Sequence, residues 1–142
     1  MKNYLFILVI FSTISCGEIN PSPAEEKDCI DRVIQIDDSL GKLRNHACEK
    51  ISLSETIDNY TKGLESINYK NCPGSFISAF EDHKEAWLNI KSVTNNYPEL
   101  RGEMHDLFRQ LETGKDSLAF KQFQKAIWDT WTEIEKTGNL KK

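Results

Sequence analysis

SPAEEKDCIDRVIQIDDSLGKLRNHA, residues 22–47, is the stretch on which the reading of the fold turns. It opens as a helix start: Ser22 is a cap, Pro23 suits the first turn, and Glu25 and Glu26 lie near the positive end of the helix dipole. Beyond this start, Cys29, Val33, Ile36, Leu40, Leu43 and Ala47 stand at alternating steps of four and three. That spacing predicts one apolar stripe along a long helix.

The same pattern repeats down the chain. Ser52-Leu53-Ser54-Glu55 reads as a capping box and opens a second stripe through Leu53, Ile57, Tyr60, Leu64 and Ile67, which Asn71-Cys72-Pro73-Gly74 ends. A third helix starts after Ser75 with Phe76, Phe80, His83, Trp87, Ile90 and Tyr97. It stops before Pro98, because a residue preceding proline disfavours the helical region. A fourth is expected from Pro98 to about Thr113 with Leu100, Met104, Leu107, Phe108 and Leu111. A fifth runs from Asp116-Ser117 through Phe120, Phe123, Ile127, Trp131 and Ile134 to Gly138. No window alternates with period two, so the expectation is an all-α antiparallel bundle of four to five helices occupying residues 24–142.

The chain of 142 residues carries 22 acidic and 18 basic side chains, a net charge of −4. A nucleic-acid-binding surface would be basic and clustered, so nucleic acid is excluded as a partner.

Ahead of the bundle stands MKNYLFILVIFSTISC, residues 1–16. Eight apolar or aromatic residues, Tyr4 to Phe11, come after a single positive charge and precede small polar residues. The run falls short of the about 20 residues that a spanning helix needs. It has the layout of a secretory signal over residues 1–15, the alternative being a buried N-terminal helix. Thr13-Ile14-Ser15-Cys16 resembles the lipobox of bacterial lipoproteins, with Thr13 where the family usually has leucine. The resemblance implies that Cys16 receives a diacylglycerol (and palmitate-type acylation) and becomes the first residue of the mature protein, held at a membrane of the bacterial cell envelope. Gly17 after the cysteine, by the sorting rule of enteric lipoproteins, implies the outer membrane. Ordinary signal-peptidase cleavage is the alternative, since Thr13 and Ser15 also form a small-x-small site. Residues 16–23, with Pro21 and Pro23, would then be a short tether.

Four cysteines are present. With Cys16 lipidated, Cys29, Cys48 and Cys72 remain. The first helix rises about 28 Å between Cys29 and Cys48, and an antiparallel second helix brings Cys72 back to the level of Cys29. Because a disulfide needs Cα atoms within about 7 Å, Cys29–Cys72 is the expected pair. Cys48–Cys72 and three buried thiols are the alternatives.

Residues able to carry chemistry are few. His83 lies on an apolar stripe, as a core histidine satisfied by a neighbour or as a ligand or general base. Arg101-Gly102-Glu103-Met104-His105-Asp106 is the densest functional stretch, and Arg101 and His105, four apart, would share a helix face. Together His83, Glu103, His105 and Asp106 form a candidate catalytic cluster between the third and fourth helices. No metal site is expected, since Glu-x-x-His pairs, His-Glu-x-x-His and paired Cys-x-x-Cys are all lacking. No phosphate loop, dinucleotide fingerprint or nucleophile elbow occurs, so no cofactor is expected. Trp128 and Trp131 stand one helical turn apart, Trp131 on the stripe and Trp128 at its edge. They are either core or a platform for an apolar ligand or sugar, and Trp128 with Arg101 forms a candidate binding surface.

Ala86-Trp87 with Lys91 downstream is similar to an alanine-tryptophan and basic-residue pattern in the helical lysozyme-inhibitor lipoproteins. The cysteine that usually comes after the basic residue in that family is absent here. The resulting expectation is a non-enzymatic envelope lipoprotein whose helical domain binds a protein or cell-wall partner. The alternative is an enzyme or metal-dependent protein using the His/acid cluster.

Overall fold

The computed structural model describes residues 20–140, so the expected signal sequence, Cys16 and the first half of the expected tether lie outside the described residues. Within these residues six helices run in order: α1 (Pro23–Ala47), α2 (Leu53–Glu65), α3 (Gly74–Asn89), the single turn α4 (Lys91–Thr94), α5 (Met104–Thr113) and α6 (Ser117–Thr137). The described residues contain no strand, and the fold is a helical bundle.

Side-chain caps account for three of the helix starts. Ser22 and Glu25 close a reciprocal capping box on α1, with Pro23 in the first turn. The Ser52 side chain accepts from the Glu55 N–H to start α2, and Glu103 accepts from the Asp106 N–H to start α5.

Successive neighbours pack antiparallel. Tyr60 of α2 meets Trp87 near the end of α3, and Tyr69, just past α2, meets Phe80 nearer the start of α3. The α3–α6 pair is the most extensive, running from Phe76 beside Gly138 to His83 beside Thr130. Between the helices lie Phe76, Phe80, Phe120, Leu53, Ile57, Ile90, Leu111 and Ile134, all fully buried. Burying each such side chain is worth about 1.5–3 kcal/mol. Close approach of α1 and α2 depends on Gly63, where a Cβ would come within 2.7 Å of a Leu40 methyl group.

Four expectations are corrected. Leu43 does not join the inner stripe of α1 and is 67% exposed. The inner face instead runs through Cys29, Val33, Asp37, Arg44 and, just past the helix, Cys48, at steps of four and seven. Helix α2 ends at Glu65, short of Ile67, which is buried from the connection. The third helix breaks at Ile90 and resumes as α4.

Most consequential is the fourth helix, which starts at Met104 and not at Pro98. The residues between lend their backbone to the α1–α2 turn: Leu53 N–H donates to Leu100 O at 2.9 Å and Gly102 N–H to Cys48 O at 2.8 Å. Gly102 has φ +153°, a conformation that side-chain-bearing residues rarely adopt, and a Cβ there would press on Leu107 at 3.2 Å.

Cys29 and Cys72 are joined by a disulfide, Cα to Cα 5.2 Å, and Cys48 is a free, buried thiol. The bridge spans 43 residues, so the chain-entropy relation gives about 4 kcal/mol of stabilisation through the unfolded state. Replacing both cysteines by alanine should therefore lower the urea-unfolding free energy by about 2–4 kcal/mol. Reductant should lower the native protein's stability similarly and leave the double variant unchanged.

Candidate functional site

Helix α1 packs chiefly on α2, whereas α6 packs on α3 and α5. The two therefore stand apart across a groove of about 560 Å³, floored by Tyr60, His83 and Trp87 and closed at one end by Met104, His105 and Phe108 of α5. Ile34, Asp37, Gly41 and Arg44 line the α1 wall, and Ile127, Trp128 and Trp131 the α6 wall.

Its floor is organised around Arg44. The guanidinium lies 4.5 Å from the ring centre of Tyr60 and 4.3 Å from that of Trp87. Each such cation–π contact contributes about 0.5–2 kcal/mol, more as it is desolvated. Tyr60 in turn donates its hydroxyl to the buried Asp37 carboxylate at 2.7 Å. Burial pushes the Asp37 carboxyl above its usual range, opposed by the Tyr60 hydroxyl and by the Arg44 charge. Burial also lowers the Arg44 pKa, opposed by Tyr60 and Asp37, though a guanidinium remains charged throughout. The Tyr60 phenol is raised strongly, first by burial and then by the Asp37 charge.

On the other side of Arg44 the network continues through Trp87. Its indole N–H donates to His83 Nε2 at 3.1 Å. Indole is a donor only, so Nε2 is the unprotonated nitrogen and Nδ1–H donates to Thr130 Oγ1 at 2.9 Å. Thr130 in turn donates its hydroxyl to the Ala126 carbonyl at 2.9 Å. Both imidazole nitrogens are thereby occupied. Burial, with the nearby Arg44 charge second, lowers the His83 pKa to about 4, so the ring is neutral near pH 7.

The sequence-derived candidates separate. His83 and His105 border the same groove, but Glu103 and Asp106 do not. His105, with a side chain 81% exposed, holds Glu103 Oε1 at 2.7 Å; Glu103 is spent on capping α5, and Asp106 pairs with Arg109 at 3.3 Å. The four residues do not converge as a catalytic cluster. Arg101 is in the loop before α5 and not on a helix shared with His105; it pairs with Glu99 at 3.7 Å, away from the groove. Trp128 is on the rim, 62% exposed, and Trp131 is half-buried with its ring 5.7 Å from His83. Among the described residues, no three His, Cys, Asp or Glu side chains come together as metal ligands, and no helix is long and apolar enough to cross a membrane.

Asp37 and Arg44 line the site without standing out in the sequence. Their signal is positional: Asp37 is four residues after Val33, and Arg44 is four before Cys48, on the face those buried residues define.

Comparison with known proteins gives no match to a family model, a curated protein or a solved structure.

The buried imidazole has a pH signature. In the unfolded chain His83 takes up a proton as pH falls through about 6.5, whereas the native ring resists until about pH 4. Its contribution to stability is therefore full above pH 6.5 and lost on acidification towards pH 4, a change of roughly 3 kcal/mol. Asp37, whose carboxyl is raised, acts in the opposite direction. Comparing the native protein with His83→Gln isolates the imidazole: the difference in urea-unfolding free energy should shift against the native protein by about 2–3 kcal/mol from about pH 7 to about 4.5. Parallel pH profiles would contradict the assignment.

Proposed function

We propose that this chain is a non-enzymatic lipoprotein of the bacterial envelope, anchored through Cys16, whose helical domain binds a protein or cell-wall partner in the groove between α1 and α6. The anchor reading rests on the composition of residues 1–16 and on their likeness to a lipobox. The observation that carries the binding reading is the tryptophan pair on α6. Trp128 stands largely exposed at the lip of a formed groove, and Trp131 is half-buried inside it. Tryptophan is costly to expose and is concentrated where surfaces recognise partners.

The enzymatic alternative draws on one feature, the Glu103–His105 pair beside the same groove. A carboxylate behind an imidazole is the arrangement of an oriented base. Here the imidazole is mostly solvated, no serine, threonine or cysteine among the described residues lines the groove with it, and the second histidine has both nitrogens engaged. Binding explains the groove with fewer unassigned parts.

Two measurements test the proposal. In detergent phase partition of the bacterial membrane fraction, the native protein should enter the detergent phase with lipid mass on Cys16, and Cys16→Ser should move to the aqueous phase; aqueous partition of both would remove the anchor. A photo-crosslinking amino acid at position 128 should give a discrete adduct in intact cells, while the same group at Leu118, which is exposed but outside the groove, should not. Equal labelling from both positions would remove the groove as the binding site.

A further inference from the structure

The groove combines apolar walls with one cation at its floor, and the way that cation is held restricts what can occupy it. Aromatic rings cover the guanidinium of Arg44, Tyr60 at 4.5 Å and Trp87 at 4.3 Å, so its N–H edge is what remains to meet a ligand. Of the five N–H donors that a guanidinium carries, Nε and Nη2 reach Asn45 Oδ1, both long at 3.3 Å, and the guanidinium also interacts with the Tyr60 hydroxyl. Among the described residues, no carboxylate forms an ion pair with Arg44. Asp37 is engaged by the Tyr60 hydroxyl, Asp38 by Lys42 at 2.5 Å, and Glu103 by His105 at 2.7 Å. A guanidinium edge is planar and matches a carboxylate with two parallel hydrogen bonds.

Size and rim narrow the choice further. About 560 Å³ is within the range of sites that enclose a small ligand, which is room for a side chain or two but not for a helix about 10 Å across. The rims carry exposed side chains, Asp38 and Lys42 on α1, His105 on α5 and Trp128 on α6. A wholly apolar small molecule would be left partly in water there, whereas the end of a longer chain would continue outward. The aromatic faces that could cage an incoming cation are already filled by Arg44 itself.

We infer that the groove receives the carboxyl-terminal end of a partner polypeptide whose last residue is apolar. Arg44 takes the terminal carboxylate, the last side chain packs on Ile127 and Trp131, and the preceding residues leave past Trp128. This rests on the reading of the groove as the partner site and adds the chemistry of what enters it.

The test is a titration of the purified full-length protein, monitored by tryptophan fluorescence, with an acetylated pentapeptide of apolar residues ending in leucine. The same peptide is supplied as free acid and as carboxamide, and decanoate is run alongside. The free acid should bind at least tenfold more tightly than the amide. Arg44→Gln should abolish that preference, and Trp128→Ala should weaken both peptides several-fold while keeping it. The acid-to-amide comparison on the native protein stands even if Arg44→Gln fails to fold. Equal affinity for acid and amide overturns the inference. So does decanoate binding as tightly as the peptide acid, which would make the site one for small amphiphiles. Absence of peptide binding while position 128 still crosslinks a partner in cells overturns the carboxylate and leaves the groove as the partner site.

Discussion

A guanidinium on the inner face of a helix constrains everything placed around it. Arg44 cannot shed its proton, and a charge removed from water must be compensated where it lies. Compensation here comes from three other side chains: a phenol and an indole cover the cation, and the phenol is tied to Asp37 one helical heptad earlier on α1. Tyr60 is supplied by α2 and Trp87 by α3, so the cation fixes how three helices meet. Through His83 and Thr130 the same chain of contacts reaches α6. Rotating any one of these helices by a residue would leave a buried polar group unpaired, and a network of this kind favours a single arrangement over near alternatives.

The architecture is legible in the sequence wherever local chemistry and tertiary packing agree. Ser22 with Glu25, Ser52 with Glu55, and the stripes through Phe76, Phe80 and Trp87 or Phe120, Ile127 and Ile134 announce helices because the cap and the periodicity are local. Residues 98–103 carry a helical signal too, since Leu100 and Met104 keep the spacing. Their backbone bonds instead to the α1–α2 turn, a long-range competition with no trace in a local window. Leu43 misleads for a similar reason: hydrophobicity assigns it the inner face, whereas the geometry of α1 gives that side to Arg44.

The candidate site is less legible. Spacing marks Trp128 and Trp131 as edge and stripe, and His83 as an inward-facing residue. What His83 does there depends on Trp87 and Thr130, the second of which is 47 residues away. Charged residues on α1 read as a solvated face because charge is usually solvated. Only the aromatic partners from α2 and α3 turn Arg44 into an interior residue, and no property of residues 37–44 alone announces them.

Helix α1, about 37 Å long at 1.5 Å per residue, is fastened at both extremities. Near its start, the Cys29–Cys72 bridge and the hydrogen bonds of Arg32 to the Asn68 and Lys70 carbonyls hold it to the α2–α3 connection. At its end, Cys48 O is bound by Gly102 N–H. A beam supported at two ends is harder to swing than one held at a single end, so this wall of the groove is the better fastened for a ligand to pack against. On the opposite wall Trp128 is 62% exposed, and an exposed side chain changes rotamer on the nanosecond scale or faster.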